Sequence, residues 1–166
     1  MMGVQDVTGG TAEGTIIGGF GTQTVAAGGS AVSAVINAGG LQNVSSGGTV
    51  NDTQANASAV QNIMGGVANS TALNSGAVQN ITAGGTARNT EAAGAVQNVI
   101  RGIAINTNLN EGTYMCQSII FFYPICLSFS HPFLLFSCTL KSSSCYAIIS
   151  RKESENNPNE RRVSLA

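Results

Sequence analysis

Six glutamines, Gln5, Gln23, Gln42, Gln61, Gln79 and Gln97, recur at intervals of 18, 19, 19, 18 and 18 residues. Glycine pairs keep the same period at Gly9-Gly10, Gly28-Gly29, Gly47-Gly48, Gly65-Gly66 and Gly84-Gly85, with Arg101-Gly102 in the next slot. Two independent markers agreeing on six units mean a repeat architecture, and the period restricts which one. Two packed helices and a turn need about 33 residues, so helical solenoids are excluded. A glycine pair in every unit would also break a helix, whereas the Val, Ile and Thr around it favour short extended segments. One unit then equals one coil of a β-helix.

Each unit reads as small, apolar, Gln, Asn, aliphatic, then Gly-Gly, then Thr-Ala-x-x-Thr; the run Ala77-Val78-Gln79-Asn80-Ile81 before Gly84-Gly85-Thr86-Ala87 is the clearest copy. The aliphatic two places after the glutamine is always kept, as Val7, Val25, Val44, Ile63, Ile81 and Val99, and so is the small residue of Ala12, Ala31, Val50, Ala68, Ala87 and Ala104. Positions so uniformly apolar are expected to face inward. In stacked coils, equivalent residues lie about 4.8 Å apart, and six coils make a rod roughly 28 Å long. Every side chain then meets copies of itself above and below, which suits amides: Asn43, Asn62, Asn80 and Asn98 are expected to bond along the stack, where like charges would repel. Glycines would supply positive φ at the corners. Strand alternation leaves open whether Gln61 or Asn62 points inward.

Only 9% of the 166 residues are charged and the net charge is -1. The repeats carry neither a basic stripe nor stacking aromatics, so nucleic-acid binding is not expected. The sole histidine, His131, stands next to Pro132 far from any acidic residue, and Asp6, Glu13, Asp52, Glu91 and Glu111 sit at different repeat phases. No catalytic triad or carboxylate pair assembles from them, and no enzyme activity is expected. Cys116, Cys126, Cys138 and Cys145, spaced by 10, 12 and 7, match no Cys-x-x-Cys metal or redox motif and read as free thiols. The glycine-rich stretches lack the lysine of a phosphate loop, so neither metal nor cofactor is implied.

The recurring Val-Gln-Asn-Val and Gly-Gly-Thr-Ala-x-x-Thr pattern resembles the AIDA (adhesin involved in diffuse adherence) repeats of type V autotransporter passengers, over about residues 3–113. The resemblance is weakest at Thr22-Gln23-Thr24 and Ile103-Ala104-Ile105, which depart from the pattern. It implies a passenger exported to the cell surface or outer membrane, serving adhesion to host or neighbouring cells, autoaggregation or biofilm formation. It also implies a glycosyltransferase partner that O-glycosylates loop hydroxyls with heptose. Thr8, Ser45, Ser46 and Thr82, with Ser30, Thr49 and Thr86 beyond them, are the matching positions; the alternative is that these hydroxyls satisfy turn backbone. Such proteins also carry an export signal and a translocator β-barrel. Met1–Asp6 lacks the charged and apolar parts of a secretory signal, and no barrel-like strand series is present, so the chain reads as a truncated passenger fragment.

Composition changes abruptly near Gly112. All 21 glycines precede that point or occupy it, and all four cysteines and three tyrosines follow it. Residues 114–150 form an apolar Cys/Phe/Ser-rich tail with no Asp, Glu, Lys or Arg from Ile119 to Leu140. That is long enough to span a bilayer, but Pro124, His131 and Pro132 interrupt it. A change of reading frame near Thr113 is the reading preferred over a membrane anchor. Met115–Ile120 also resembles a decayed copy of Ala95–Ile100, with Gln117 answering Gln97. Residues 151–166 are polar and mixed in sign, and are expected to be disordered.

The expected fold is therefore all-β, a parallel β-helix (β-solenoid) of about six coils followed by an apolar tail. The expected function is that of a structural, adhesive stalk without catalysis. Thr49/Thr53 and Thr86/Thr90 suggest an ice- or glycan-binding solenoid as the alternative, and a non-functional truncated gene product is a third reading.

Overall fold

The structure, a computed structural model, describes residues 3–110, 112–118, 125–128, 134–141 and 144–150. It is all-β among these residues, and the repeats wind as a right-angled succession of three short strands per coil, stacked into three parallel sheets. The five-residue strands Val4–Thr8, Thr22–Ala26, Leu41–Ser45, Val60–Met64, Val78–Thr82 and Val96–Ile100 make the long face. Three-residue strands from Thr11–Glu13 to Ile103–Ile105 make the second face, and the third runs from Ile16–Ile17 to Thr107–Leu109.

Register is kept residue for residue: Gln5 pairs with Gln23, Gln23 with Gln42, Gln42 with Gln61, Gln61 with Gln79 and Gln79 with Gln97. The repeat seen in the sequence is thus the vertical spacing of the rod. The difference between 18 and 19 residues arises chiefly at the first corner. Three residues turn the chain at Ala27-Gly28-Gly29, Ser46-Gly47-Gly48 and Ala83-Gly84-Gly85, whereas two suffice at Gly65-Gly66 and Arg101-Gly102.

Strand alternation decides the question left open above. Gln23, Gln42, Gln61, Gln79 and Gln97 are fully buried, together with Val25, Val44, Ile63 and Ile81, while the asparagine between them faces outward and is half-buried. A buried primary amide costs free energy unless bonded, and here the stack supplies the partners. Each glutamine Nε2 donates to the Oε1 of the coil before it, at 2.6–2.8 Å from Gln23 through Gln97. Asn62, Asn80 and Asn98 donate likewise to Asn43, Asn62 and Asn80 at 2.8–3.0 Å. Further asparagine ladders join Asn37, Asn56 and Asn74 at the third corner and Asn51 to Asn69 on the second face.

The apolar interior falls into two columns of contacts. One joins Val25, Val44, Ile63 and Ile81 with Ala31, Val50, Ala68 and Ala87. The other stacks Ile36, Ala55, Leu73, Ala92 and Leu109, large and small in alternation, so that bulky side chains fill the space left by alanines above and below. Ala12 and Ala104, expected inside, are only partly buried because they belong to the end coils.

The two glycines of each pair have different reasons to be glycine. The first takes positive φ, +78° at Gly47 and +80° at Gly84, as expected. The second does not: a Cβ on Gly48 or Gly85 would fall within 3.0 Å of the Val25 or Ile63 carbonyl oxygen of the coil beneath. Close stacking of coils, not backbone freedom, requires it there. The second corner reaches left-handed φ without glycine at Ser33, Asp52, Ser70, Asn89 and Asn106, mostly residue types that tolerate it.

The parallel stack continues one strand beyond Ile100. Tyr114–Ser118 pairs with Val96–Ile100, and Thr113 fills the slot of Ala95 and Ala77, its hydroxyl donating to the Ala92 carbonyl at 2.9 Å. The expected alignment of Gln117 with Gln97 is corrected: Met115 lies beside Gln97. Thr113 at the corner enforces the 18-residue step, and the matching glutamine two places on is a coincidence of letters. Beyond this strand, Ile125–Ser128 pairs antiparallel with Tyr114–Ser118, and Leu134–Lys141 pairs antiparallel with Thr107–Leu109 and with Ser144–Ser150. No helix among the described residues is long and apolar enough to cross a membrane. Residues 151–166, expected to be disordered, lie outside the described residues, as do Glu111 and His131.

Candidate functional site

Among the described residues there is no cluster of His, Cys, Asp and Glu able to hold a metal ion. The carboxylates are dispersed by the coil geometry. Asp6 is on the long face, Glu13 on the second, Asp52 at a corner and Glu91 on the third. No two of them are brought together by strand pairing, so the fold offers no acid–base pair from these residues.

What the solenoid does organise is hydroxyls. Thr8 ends the first long strand and pairs with Ala26; Ser45 ends the third and pairs with Met64, which in turn pairs with Thr82, and Thr82 pairs with Ile100. The last position of the long strand therefore forms a vertical column: Thr8, Ala26, Ser45, Met64, Thr82, Ile100. Hydroxyls alternate with apolar side chains, which places successive hydroxyls about 10 Å apart, two coil spacings. Thr8 is exposed, and Ser45 and Thr82 are half-buried. Ser46 stands at the corner itself, exposed, and its stack neighbours are Ala27 below, whose N–H donates to the Ser46 carbonyl at 3.2 Å, and Gly65 above. Neither carries more than a methyl group. Across the corner, Ser30, Thr49 and Thr86 begin strands of the second face and form a second hydroxyl column, half-buried and turned outward.

The four candidate hydroxyls thus lie on one edge of the rod. The threonine pairs behave differently from their sequence appearance. Thr53, Thr71, Thr90 and Thr107 are buried, and Thr53 and Thr71 turn their hydroxyls towards the Gln42 and Gln61 Oε1 atoms at 3.4 Å. Thr49 and Thr86 face outward while Thr53 and Thr90 face the core, so Thr49/Thr53 and Thr86/Thr90 cannot form one flat threonine array. That removes the geometric basis of the ice-binding alternative. The polar seam of glutamine and threonine was not foreseen as a unit. Its signal was present in the period shared by the glutamines and by Thr15, Thr53, Thr71, Thr90 and Thr107.

The outer surface of the long face is uncharged from the second coil onward. Its first column is Thr22, Leu41, Val60, Val78, Val96 and Tyr114, its centre is the asparagine ladder, and its edge is the hydroxyl column. Arg88 and Arg101 lie instead on the second face and at a corner.

No family model and no curated protein sequence matches this chain. Among solved structures it is similar to a crystal structure of a hyper-glycosylated TibA fragment, residues 55–350, whose glycosylation TibC catalysed. Identity is 43%, the TM-score is 0.64, and the match covers 66% of this chain and 42% of that one. The chain thus spans less than half of that fragment's length. TibA is an autotransporter adhesin with an AIDA-type passenger. Identity of that degree, carried on the same stacked coils, shows that the repeats of this chain are an AIDA-type passenger β-solenoid of the autotransporter adhesins.

Proposed function

We propose that this solenoid is a non-catalytic adhesive stalk segment, displayed at the cell surface, whose corner hydroxyls are acceptors for a glycosyltransferase. The observation that carries the reading is the hydroxyl column at the edge of the long face. An acceptor must offer a hydroxyl clear of neighbouring side chains, and Ser46 between Ala27 and Gly65 does so. A two-coil spacing of about 10 Å along the column at Thr8, Ser45 and Thr82 leaves room for a sugar on each without steric overlap. The similar TibA fragment carries sugars added by an enzyme, which supports the same relation here.

The adhesive part of the reading rests on the uncharged sheet surface beside that edge. A flat face of amides and aliphatics presents the same chemistry at every coil, so contact with a host cell, a neighbouring cell or a second copy gains strength by repetition rather than from a single pocket. Catalysis has no place in it, since no acid–base pair is assembled.

Co-expression with a heptosyltransferase of the TibC kind, followed by intact-mass measurement, tests the acceptor role. The expected result is a ladder of whole-sugar increments mapping to Ser46 first and then to Ser45, Thr8 and Thr82. The Ser45→Ala/Ser46→Ala double variant should carry at least one sugar fewer. An unmodified chain would refute acceptor function. For adhesion, bacteria displaying the chain should bind cultured cells or clump, and display giving no more binding than bare bacteria would refute the stalk reading.

A further inference from the structure

Four cysteines allow three complete pairings, and strand register separates them. The antiparallel pairing of Tyr114–Ser118 with Ile125–Ser128 sets Cys116 directly opposite Cys126. Directly opposed residues in an antiparallel pair have Cα atoms about 4.5 or about 5.5 Å apart, according to whether the pair is hydrogen-bonded. Both values lie within the roughly 4.4–6.8 Å that a disulfide spans. Cys138 and Cys145 also lie on paired strands, but Cys138 stands opposite Ala147 and Cys145 opposite Leu140. That leaves them on a diagonal of about 7–8 Å, beyond the reach of an unstrained bond.

The position of the opposed pair matters as much as its register. Cys116 occupies the place above Asn98 in the outward ladder of the long face. It therefore belongs to the last parallel strand of that sheet, where the next strand in order is the antiparallel Ile125–Ser128. A solenoid needs its terminal edge covered, because an open strand edge is a template for pairing with other chains. The same region supplies a second cover, since Leu134–Lys141 pairs antiparallel along Thr107–Leu109 at the end of the third sheet.

We propose that Cys116 and Cys126 form a disulfide that fastens the covering strand Ile125–Ser128 to the end of the parallel stack. The two thiols lose two protons and two electrons to a disulfide oxidant such as oxidised glutathione, which is released as two thiols, and one S–S bond forms between the strands. Cys138 and Cys145 remain thiols. The bond restrains the chain most where the repeat pattern stops and the stack is least supported by a following coil.

The test uses the full chain, equilibrated with oxidised glutathione, alkylated without reduction, digested and measured by mass spectrometry. The expected result is one cross-linked species joining the Cys116 and Cys126 peptides, with Cys138 and Cys145 alkylated. A Cys138→Ser/Cys145→Ser variant should form the same bond. The oxidised chain should melt higher than the reduced chain by roughly 5 °C, and Cys126→Ser should show no difference between the two buffers. A Cys138–Cys145 bond, mixed pairs, four alkylated thiols, or the expected bond without any shift in melting would each overturn the proposal.

Discussion

Replacing Gln61 with leucine isolates what the buried ladder contributes. Gln61 is fully buried; its Nε2 donates to the Gln42 Oε1 at 2.8 Å, and its Oε1 accepts from the Gln79 Nε2 at 2.7 Å and from the Thr71 hydroxyl at 3.4 Å. Leucine fits the volume but breaks the chain of amides on both sides. The Gln79 N–H loses its acceptor, and the Gln42 oxygen keeps only the long contact to Thr53 at 3.4 Å. Each buried polar group left unpaired costs about 1–3 kcal/mol, and the added apolar burial returns about 1 kcal/mol. The net loss is about 3 kcal/mol by that reckoning. Asn62→Leu removes a ladder of the same geometry, at 3.0 Å to Asn43 and 2.8 Å from Asn80, but on the half-exposed side where water replaces the lost partners. Its cost should stay below about 1 kcal/mol. Urea unfolding followed by circular dichroism reads the difference: at an m-value of about 1.5 kcal/mol per M, Gln61→Leu lowers the midpoint by roughly 2 M. The Gln61→Leu/Gln79→Leu double variant should cost less than the sum of its singles, because they share one broken link. Equal midpoints for Gln61→Leu and Asn62→Leu would refute the claim that the inward ladder is the stronger one.

Two other perturbations follow from the same geometry. Gly84→Ala strains a φ of +80° but meets nothing within 4 Å, so it should cost about 1 kcal/mol, whereas Gly85→Ala drives a methyl into the Ile63 carbonyl and should cost about 3 kcal/mol or more; parallel urea titrations compare them. Met115→Gln gives the Gln97 Oε1, buried without a hydrogen-bond partner, a donor from the next coil, and should raise stability by about 1 kcal/mol in the same titration.

The period was legible because each coil repeats the same interior, and the aliphatics at Val25, Val44, Ile63 and Ile81 announced the inward face directly. The direction of Gln61 against Asn62 was not legible, since either amide can ladder along a stack and both are flanked by aliphatics. Only the placement of corners, which sets the phase of the strand, decides it. The second glycine of each pair hid its reason for a different cause: the contact that forbids a side chain at Gly48 comes from the Val25 carbonyl one coil away, and no local pattern reveals a clash between coils. The candidate hydroxyls Thr8, Ser45, Ser46 and Thr82 were chosen one by one from loop composition. Their common edge emerges only when 18- and 19-residue steps are resolved into strand register. The apparent match at Gln117 failed because letter identity was followed across a corner whose length is set by Thr113.

The account depends throughout on in-register stacking, and one distance measurement addresses it. Asp6 and Asn98 occupy the same outward ladder position five coil steps apart. Spin labels on cysteines introduced there, with the native cysteines changed to serine, should give a narrow pulsed-EPR distribution with a backbone separation of about 24 Å. Labels at Asn43 and Asn98, three steps apart, should shorten it by about 10 Å. A broad distribution extending well beyond roughly 40 Å, as for a chain without stacked coils, would contradict the solenoid itself.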